Sequence, residues 1–206
     1  AEAERAAGVI RVFTHSNTPV FGPGSEMGSP TQNWALQSDR ILFNGQPIAL
    51  VVAESYEQAR YAARLVQARY QTEPHITDLD AVLDQAQPDS DSAKSHPRGN
   101  PQAALESAAV RLSAEYRIPV EHHNPIEPHA AIAVWEGEQL TLFDKTQQVN
   151  GVRQHLASSL GVSPERIRVI SPFVGGAFGA SLKPNYYPLL TAMAARELKR
   201  PVKLVY

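Results

Sequence analysis

An α+β fold is predicted from two patterns that lie on either side of a polar stretch. Before that stretch, short apolar runs of strand length alternate with turn residues and lead into one amphipathic helix pattern. After it, strand and helix patterns alternate in the order β-α-β-α-β. The polar stretch, residues 86–102, has almost no apolar side chain to bury and is typical of a linker. We therefore predict a small mixed domain at 1–85, a linker at 86–102 and a second domain at 103–206.

Three strands and one helix are predicted in the N-terminal domain. Apolar runs indicate strands at residues 9–13, 41–43 and 47–53, and a loop rich in Pro, Gly and Ser covers residues 16–30. Between the second and third runs, the Asn-Gly pair at 44–45 favours a turn, because both residue types tolerate positive φ.

The helix is predicted from Ser55 to about Arg69. The hydroxyl of Ser55 can accept from the backbone N–H of Gln58 while the Gln58 side chain reaches back, which is a capping box. Alanines and a valine then recur on one helical face. The N-terminal domain is therefore predicted to end in a strand–turn–strand–helix unit.

Alternating strand and helix patterns define the second domain. Residues 110–118 alternate apolar and polar side chains, which predicts a half-buried strand, and residues 130–135 and 139–143 predict a hairpin. Apolar residues at helical spacing predict a helix over 149–160 that ends at Gly161 in a left-handed C-cap. A strand at 167–170, a helix at about 188–198 and a final strand at 202–206 complete the prediction.

Composition and charge exclude several classes of function. The 206 residues are 43% hydrophobic and 19% charged, as in a soluble globular protein. A net charge of −2 with scattered basic residues disfavours nucleic-acid binding. No apolar run approaches the ~20 residues that span a bilayer. Cysteine is absent, which excludes disulfides, thiolate zinc sites and cysteine-ligated iron–sulfur clusters in this chain. Composition does not distinguish cytoplasm from periplasm.

A glycine-rich loop at residues 174–181 is the most informative local feature. Three glycines around one aromatic side chain let backbone amides approach a large ligand and permit positive φ. The loop has neither the G-x-G-x-x-G spacing of a dinucleotide site nor the Gly-Lys-Ser/Thr of a P-loop. A ligand-binding loop and a tight turn that only packs both remain open from the pattern alone.

Residues 121–129 are dense in imidazole and carboxylate groups and could in principle hold a metal. Pro125 and Pro128 argue against the helix that would place His123 and Glu127 on one face, so a hydrogen-bonded structural loop is favoured. We predict no metal ligand in this chain. A Ser–His–Asp hydrolase lacks support, because the G-x-S-x-G elbow is absent.

Three segments, in order and spacing, resemble the molybdenum-binding subunits of the xanthine dehydrogenase/aldehyde oxidase family. Residues 45–54, with the following Ala-rich helix, look like the hammerhead domain of that family. Residues 123–128 resemble the opening of its molybdenum domain. The block from Thr146-Gln147 through the strand at 167–170 to the loop at 174–179 matches its cofactor-binding part.

The resemblance implies a hammerhead-type domain that lacks its first strand residues, followed by an incomplete molybdopterin-binding domain. It implies hydroxylation of aldehydes or N-heterocycles with water as the oxygen source. The cofactor would be molybdenum–molybdopterin, either as the plain pterin or in a dinucleotide form. Iron–sulfur clusters and FAD would be carried only by partner subunits or domains. The cofactor-binding residues implied are Gln147, Gly176, Ala177, Phe178 and Gly179.

The same resemblance implies that this chain holds no catalytic residue. The general-base glutamate of the family lies near the far end of a much longer subunit, beyond Tyr206, so the chain alone should be inactive. The loop departs from the commoner Gly-Gly-Phe-Gly-Gly-Lys form at Ala177, Ala180 and Ser181. Leu182 stands where some purine-oxidising members carry a glutamate, which favours aldehydes or other heterocycles. The alternative from another class is a non-catalytic domain for assembly or partner docking.

Overall fold

The computed structural model describes residues 2–23, 35–87 and 98–206, and the contacts divide the chain into two units. The first unit comprises residues 1–67 and 122–206, and the second comprises residues 68–121. Parts of the predicted loop at 16–30 and of the predicted linker at 86–102 lie outside the described residues. The contact-based division differs from the predicted limits 1–85, 86–102 and 103–206, which stay a prediction.

Among the described residues, six strands and four α-helices belong to the first unit. The strands are β1 (Val9–Thr14), β2 (Ala49–Ala53), β3 (Ala130–Glu136), β4 (Gln139–Asp144), β5 (Ile167–Ile170) and β6 (Val202–Val205). The helices are α1 (Glu2–Arg5), α2 (Tyr56–Arg64), α4 (Val149–Leu160) and α5 (Tyr186–Leu198), with a 3-10 turn at Pro164–Arg166. The helix labelled α3 (Pro101–Ser107) belongs to the second unit.

Strands β1 and β2 form an antiparallel pair next to α2. The capping box predicted at the start of α2 is confirmed, with Ser55 and Gln58 bonding each other's backbone N–H groups. The helix ends at Arg64, about one turn before the predicted Arg69. Leu65 and Val66 instead bond back three residues, as in a 3-10 turn, which is a common way for a helix to end.

The larger sheet has the strand order β5-β4-β3-β6. β4 runs parallel to β5, whereas β3 is antiparallel to both β4 and β6. β4, β5 and β6 therefore share one direction. The predicted alternation is confirmed, because α4 connects β4 to β5 and α5 connects β5 to β6. A parallel pair needs such a crossover rather than a hairpin.

Helices α4 and α5 supply most of the core against this sheet. Buried side chains of both helices join buried residues of β3, β4 and β6 in one apolar cluster. The indole N–H of Trp135 in β3 donates to the carbonyl of Ala192 in α5 at 2.9 Å. α4 ends as predicted, since its C-cap Gly161 adopts φ 65° in the left-handed region. The helix and the turn that follows it thus fix where β5 begins.

The predicted strand at 41–43 is wrong. The backbone here bonds to a nearby side chain and not to a neighbouring strand. The Gln46 side chain accepts from the N–H of Leu42 at 2.8 Å and donates to the carbonyl of Arg40 at 2.9 Å. Gly45 has φ 88°, so the predicted turn at 44–45 forms. The apolar side chains at 41–43 are exposed.

The predicted strand at 110–118 is also wrong in the second unit. This segment forms no ladder, and its apolar side chains Val110, Leu112, Tyr116 and Ile118 are 79–93% exposed. The unit otherwise contains a 3-10 helix (Asp80–Gln85), the helix α3 and an ion pair between Arg117 and Asp80 at 2.9 Å. A strand needs a second strand to which its backbone is hydrogen-bonded, and no described residue pairs with 110–118 in this way. Among the described ranges, no helix is long and apolar enough to cross a membrane.

Candidate cofactor site

The glycine-rich loop joins β5 to α5 and turns through left-handed backbone. Gly176, Phe178 and Gly179 have φ values of 95°, 53° and 100°. Two short turns stabilise this path, with Ala180 donating to the carbonyl of Ala177 at 2.9 Å and Leu182 to that of Gly179 at 3.0 Å. Positive φ is uncommon for a bulky side chain such as phenylalanine. The conformation thus agrees with the need for glycine that the sequence suggests.

Four consecutive backbone N–H groups of the loop have no acceptor among the described residues. Those of Gly176, Ala177, Phe178 and Gly179 form no hydrogen bond with any residue that the structure describes. Ala177 is itself buried, with 4% of its surface exposed. An N–H group in such a place costs free energy unless it is paired. Successive amides in alternating backbone conformations are a frequent site for an acceptor from a ligand.

Gln147 follows the C-terminal end of β4, beside this loop. Its N–H donates to the carbonyl of Ser181 at 3.0 Å, and the hydroxyl of Thr146 donates to the same carbonyl at 3.3 Å. A second connection runs from Ser171, just after β5, to the backbone of Thr146. The structure therefore brings Gln147 to the same edge of the sheet as the loop at 176–179. Its side chain is exposed there.

The side chains of the loop differ in their exposure to solvent. Phe178 is 73% exposed, whereas Ala177 and Ser181 are buried. The hydroxyl of Ser181 has no partner among the described residues. Ala177 and Ser181 are two of the positions where the loop departs from the commoner family sequence, and both departures place a small side chain where little space remains.

Residues 123–127 lie along the loop. A Cβ placed on Gly179 would be 3.6 Å from Nε2 of His123, and one placed on Gly176 would be 3.6 Å from Cβ of Pro125. At Gly175 the neighbour is Glu127, whose carboxylate accepts from the Gly175 N–H. The segment forms no helix, as its prolines predict. Within the described chain, no group of three or more His, Cys, Asp and Glu side chains could hold a metal ion.

A buried polar cluster lies beneath the end of β4. Asp144 is 5% exposed, and burial raises the pKa of its carboxyl to about 6. Burial also lowers the pKa of His129, with the charge of Lys145 acting in the same direction. The hydroxyl of Tyr187 donates to the carbonyl of Lys145 at 3.2 Å, and burial raises the pKa of that hydroxyl. This cluster supports the backbone that leads to Gln147.

A cleft of about 190 Å³ opens at the same end of the sheet. Its charged lining comes from Glu127, Asp144, Lys145 and Lys203, and its other walls are apolar. Neither Gln147 nor the loop at 176–179 lines it. The amide groups of the loop and this cleft are therefore separate features of one edge.

Sequence reasoning missed Glu127 and Lys145 as neighbours of the loop. Lys145 is 4% exposed, and its ammonium donates to the Glu127 carbonyl at 3.0 Å. Lys145 directly follows the last residue of β4, and a side chain at the end of a strand can reach the loops at that edge of the sheet. Its partner is not local in sequence, however, so the pattern alone could not identify the pair.

Comparison with known proteins identifies the family of this chain. The model of the molybdopterin cofactor-binding domain matches residues 84–206. The model of the aldehyde oxidase and xanthine dehydrogenase a/b hammerhead domain matches residues 1–74. The aldehyde oxidoreductase molybdenum-binding subunit of Escherichia coli (strain K12) is 41% identical over 98% of this chain, which covers 27% of that protein. An indole-3-acetaldehyde oxidase of Zea mays is 31% identical over 95% of this chain, which covers 15% of it.

Solved structures give the same result for the fold. The aldehyde oxidoreductase from Desulfovibrio gigas superposes with a TM-score of 0.77 at 26% identity, over 100% of this chain and 24% of that one. The quinoline 2-oxidoreductase from Pseudomonas putida 86 has a TM-score of 0.75 at 24% identity, over 100% of this chain and 28% of that one. The chain thus spans about a quarter of the bacterial relatives' length. It belongs to the aldehyde oxidase and xanthine dehydrogenase family, of which it carries hammerhead and molybdopterin cofactor-binding sequence.

Proposed function

We propose that this chain forms one wall of the molybdopterin site in the large subunit of a molybdenum hydroxylase. The observation that carries the proposal is the run of four backbone N–H groups at 176–179, beside Gln147, that find no acceptor in the part of this chain that the structure describes. The chain also matches the family model of the cofactor-binding domain. The residues proposed to contact the cofactor are Gln147, Gly176, Ala177, Phe178 and Gly179.

The residues present fit such a cofactor. A pterin dithiolene with a phosphate offers many hydrogen-bond acceptors, and the loop offers donors that have no partner in the described residues. One of these donors belongs to Ala177, a buried residue, for which an acceptor from the cofactor would be favourable. The exposed side chain of Gln147 provides a further amide group at the same edge. A dithiolene also supplies the sulfur ligands of molybdenum, so a chain without cysteine is suitable.

The reaction proposed is hydroxylation of an aldehyde, with N-heterocycles as the second substrate class. When bound, the molybdenum centre supplies the two-electron oxidation and activates the water oxygen. This chain's own residues would bind and orient the cofactor through backbone amides and Gln147. The relatives at 41% and 31% identity are named as an aldehyde oxidoreductase subunit and an indole-3-acetaldehyde oxidase, which supports aldehydes. The general base would come from residues outside this chain.

Electrons would pass to iron–sulfur clusters and FAD on partner subunits or domains. The absence of cysteine leaves this chain without thiolates for a cluster of its own. The name of the Escherichia coli relative, a molybdenum-binding subunit, agrees with a division of cofactors among several chains. The pterin is proposed in either the plain or the dinucleotide form, which release and mass spectrometry of the nucleotide would distinguish.

The test uses the full-length parent subunit in its complex. We expect about one molybdenum and one molybdopterin per subunit in preparations that oxidise aldehydes. Gln147→Ala and Phe178→Ala should each lower turnover by roughly tenfold or more, the usual effect of removing a group that positions a metal centre. Gln154→Ala is the matched control, because Gln154 is an exposed glutamine on the outside of α4.

Two outcomes would contradict the proposal. Active preparations without molybdopterin would exclude the cofactor. Unchanged turnover in both site variants, together with retained binding of a sister subunit, would favour the docking domain that the sequence leaves as the alternative.

A further inference from the structure

Glu127 and Gly175 are joined by two hydrogen bonds across 48 positions of sequence. The carboxylate of Glu127 accepts from the N–H of Gly175. In the opposite direction, the N–H of Glu127 donates to the carbonyl of Gly175, with 3.1 Å between the nitrogen and the oxygen. Both polar groups of the Gly175 backbone are thus held by one residue. This contact holds the loop at Gly175. The next residue, Gly176, is the first of the four whose N–H groups have no acceptor among the described residues.

Gly175 can make this contact only because it has no side chain. A Cβ placed on Gly175 would lie 2.9 Å from Cβ of Glu127 and 3.1 Å from its Oε2. The first distance is shorter than real Cβ contacts, so any larger residue would push the loop away from Glu127. The φ of Gly175 is not positive, and its glycine is therefore explained by close approach rather than by backbone conformation.

Lys145 connects the same contact to the strand that precedes Gln147. Its ammonium is buried and donates to the Glu127 carbonyl at 3.0 Å. Two residues later, the backbone of Gln147 bonds to Ser181 at the far end of the loop. The loop is consequently held at both ends, by Glu127 at Gly175 and by residues 146–147 at Ser181.

We propose that Glu127 is a positioning residue that holds the glycine-rich loop in the conformation that presents its amides to the cofactor, with Lys145 fixing Glu127 in turn. The inference rests on the proposed function, since the amides at 176–179 matter to catalysis only if they bind the cofactor. Glu127 acts through the loop and contacts Gly175, not the reacting atoms. Its effect should therefore follow the hydrogen bond to Gly175 rather than the negative charge.

The experiment compares Glu127→Ala, Glu127→Gln and Gly175→Ala in the full-length subunit within its complex. Hydrogen exchange of peptides covering 174–182 is measured by mass spectrometry, together with molybdenum content and the melting temperature. Loss of one such bond should speed local exchange by about three- to tenfold in Glu127→Ala. Glu127→Gln keeps an acceptor oxygen and should retain most of the protection and most of the molybdenum. Gly175→Ala should reproduce the effect of Glu127→Ala, and the double variant should add little.

Glu121→Ala is the matched control, since Glu121 lies six residues earlier and is exposed. Equal exchange of the loop in Glu127→Ala and Glu121→Ala would overturn the inference. So would a loss in Glu127→Gln as large as in Glu127→Ala, because the charge and not the hydrogen bond would then be responsible. A wild-type subunit without molybdopterin would overturn the proposed function instead, while the exchange comparison, which needs no cofactor, would still decide the role of Glu127.

Discussion

Burial moves the pKa values of two side chains in opposite directions. His155 in α4 is 1% exposed, both ring nitrogens lack a partner among the described residues, and burial lowers its pKa to about 4. Asp144 at the end of β4 has its pKa raised by burial to about 6. Both shifts favour the neutral form of the side chain. Both therefore contribute to how the stability of the fold responds to acid.

The contributions of His155 and Asp144 to the free energy of unfolding should nearly cancel each other between pH 6 and pH 4. As the pH falls below 6.5, the unfolded chain protonates His155 and the folded chain does not, so the free energy of unfolding decreases until pH 4. Asp144 has the reverse effect, because the folded chain takes up its proton near pH 6 and the unfolded chain only near pH 3.8. Each contribution is at most about 3 kcal/mol.

Single substitutions should separate these contributions. In Asp144→Asn the contribution of His155 remains unopposed, so the free energy of unfolding should fall by up to about 3 kcal/mol more than in the wild type between pH 6.5 and pH 4. His155→Leu should instead gain stability relative to the wild type over the same interval. Urea unfolding of the chain at several pH values measures both. Curves that stay parallel to the wild type would show that these groups do not have the assigned pKa values.

At the scale of single elements, α4 depends on its left-handed C-cap. Gly161 has φ 65°, and a Cβ placed on it would meet no heavy atom within 4 Å. Substitution there is therefore limited by backbone conformation and not by space. Gly161→Ala should reduce the free energy of unfolding by about 1 kcal/mol, and Gly161→Asn by less, because asparagine tolerates this region better. Urea unfolding compares the two variants, and equal losses would contradict this explanation.

Helices and strands that are determined by residues close together in sequence could be predicted, and α4 is an example. Apolar spacing and a terminal glycine mark it, and both act within a few residues. The segment at 110–118 has an equally clear alternation, yet it forms no strand among the described residues. Alternation predicts which face of a strand would be buried, but pairing requires a partner that the pattern does not identify. The segment at 41–43 fails for a different reason, since Gln46 bonds its backbone locally.

The same distinction applies to the candidate site. Positive φ at Gly176 and Gly179 is a property of the residue itself, so the glycine pattern indicated the loop. The approach of Gln147 to that loop was implied by the family resemblance. Glu127 precedes β3 and Gly175 follows β5, so the contact joins two loops that are remote in sequence, and only the folded sheet brings them together. Proximity of this kind depends on topology.

In the first unit as a whole, one apolar cluster contains residues from both of the regions that the two family models match. Phe13 in β1 and Val52 in β2 belong to the same cluster as Leu142 in β4 and Leu189 in α5. The hammerhead model covers residues 1–74 and the cofactor-binding model residues 84–206. A shared core means that loss of packing on one side exposes apolar surface on the other. The two regions should therefore unfold together rather than as independent domains.

Phe13→Ala tests this coupling. Phe13 is 1% exposed, and its truncation should lower the free energy of unfolding by about 3–5 kcal/mol. Because the cluster is shared, hydrogen exchange should speed up in peptides from β1 and β2 and also in peptides from β4 and α5. Val20→Ala is the control, since Val20 belongs to the same part of the chain and is exposed. Faster exchange confined to residues 9–64 would show that the N-terminal region has a core of its own, and the predicted boundary between two domains would then also be an energetic one.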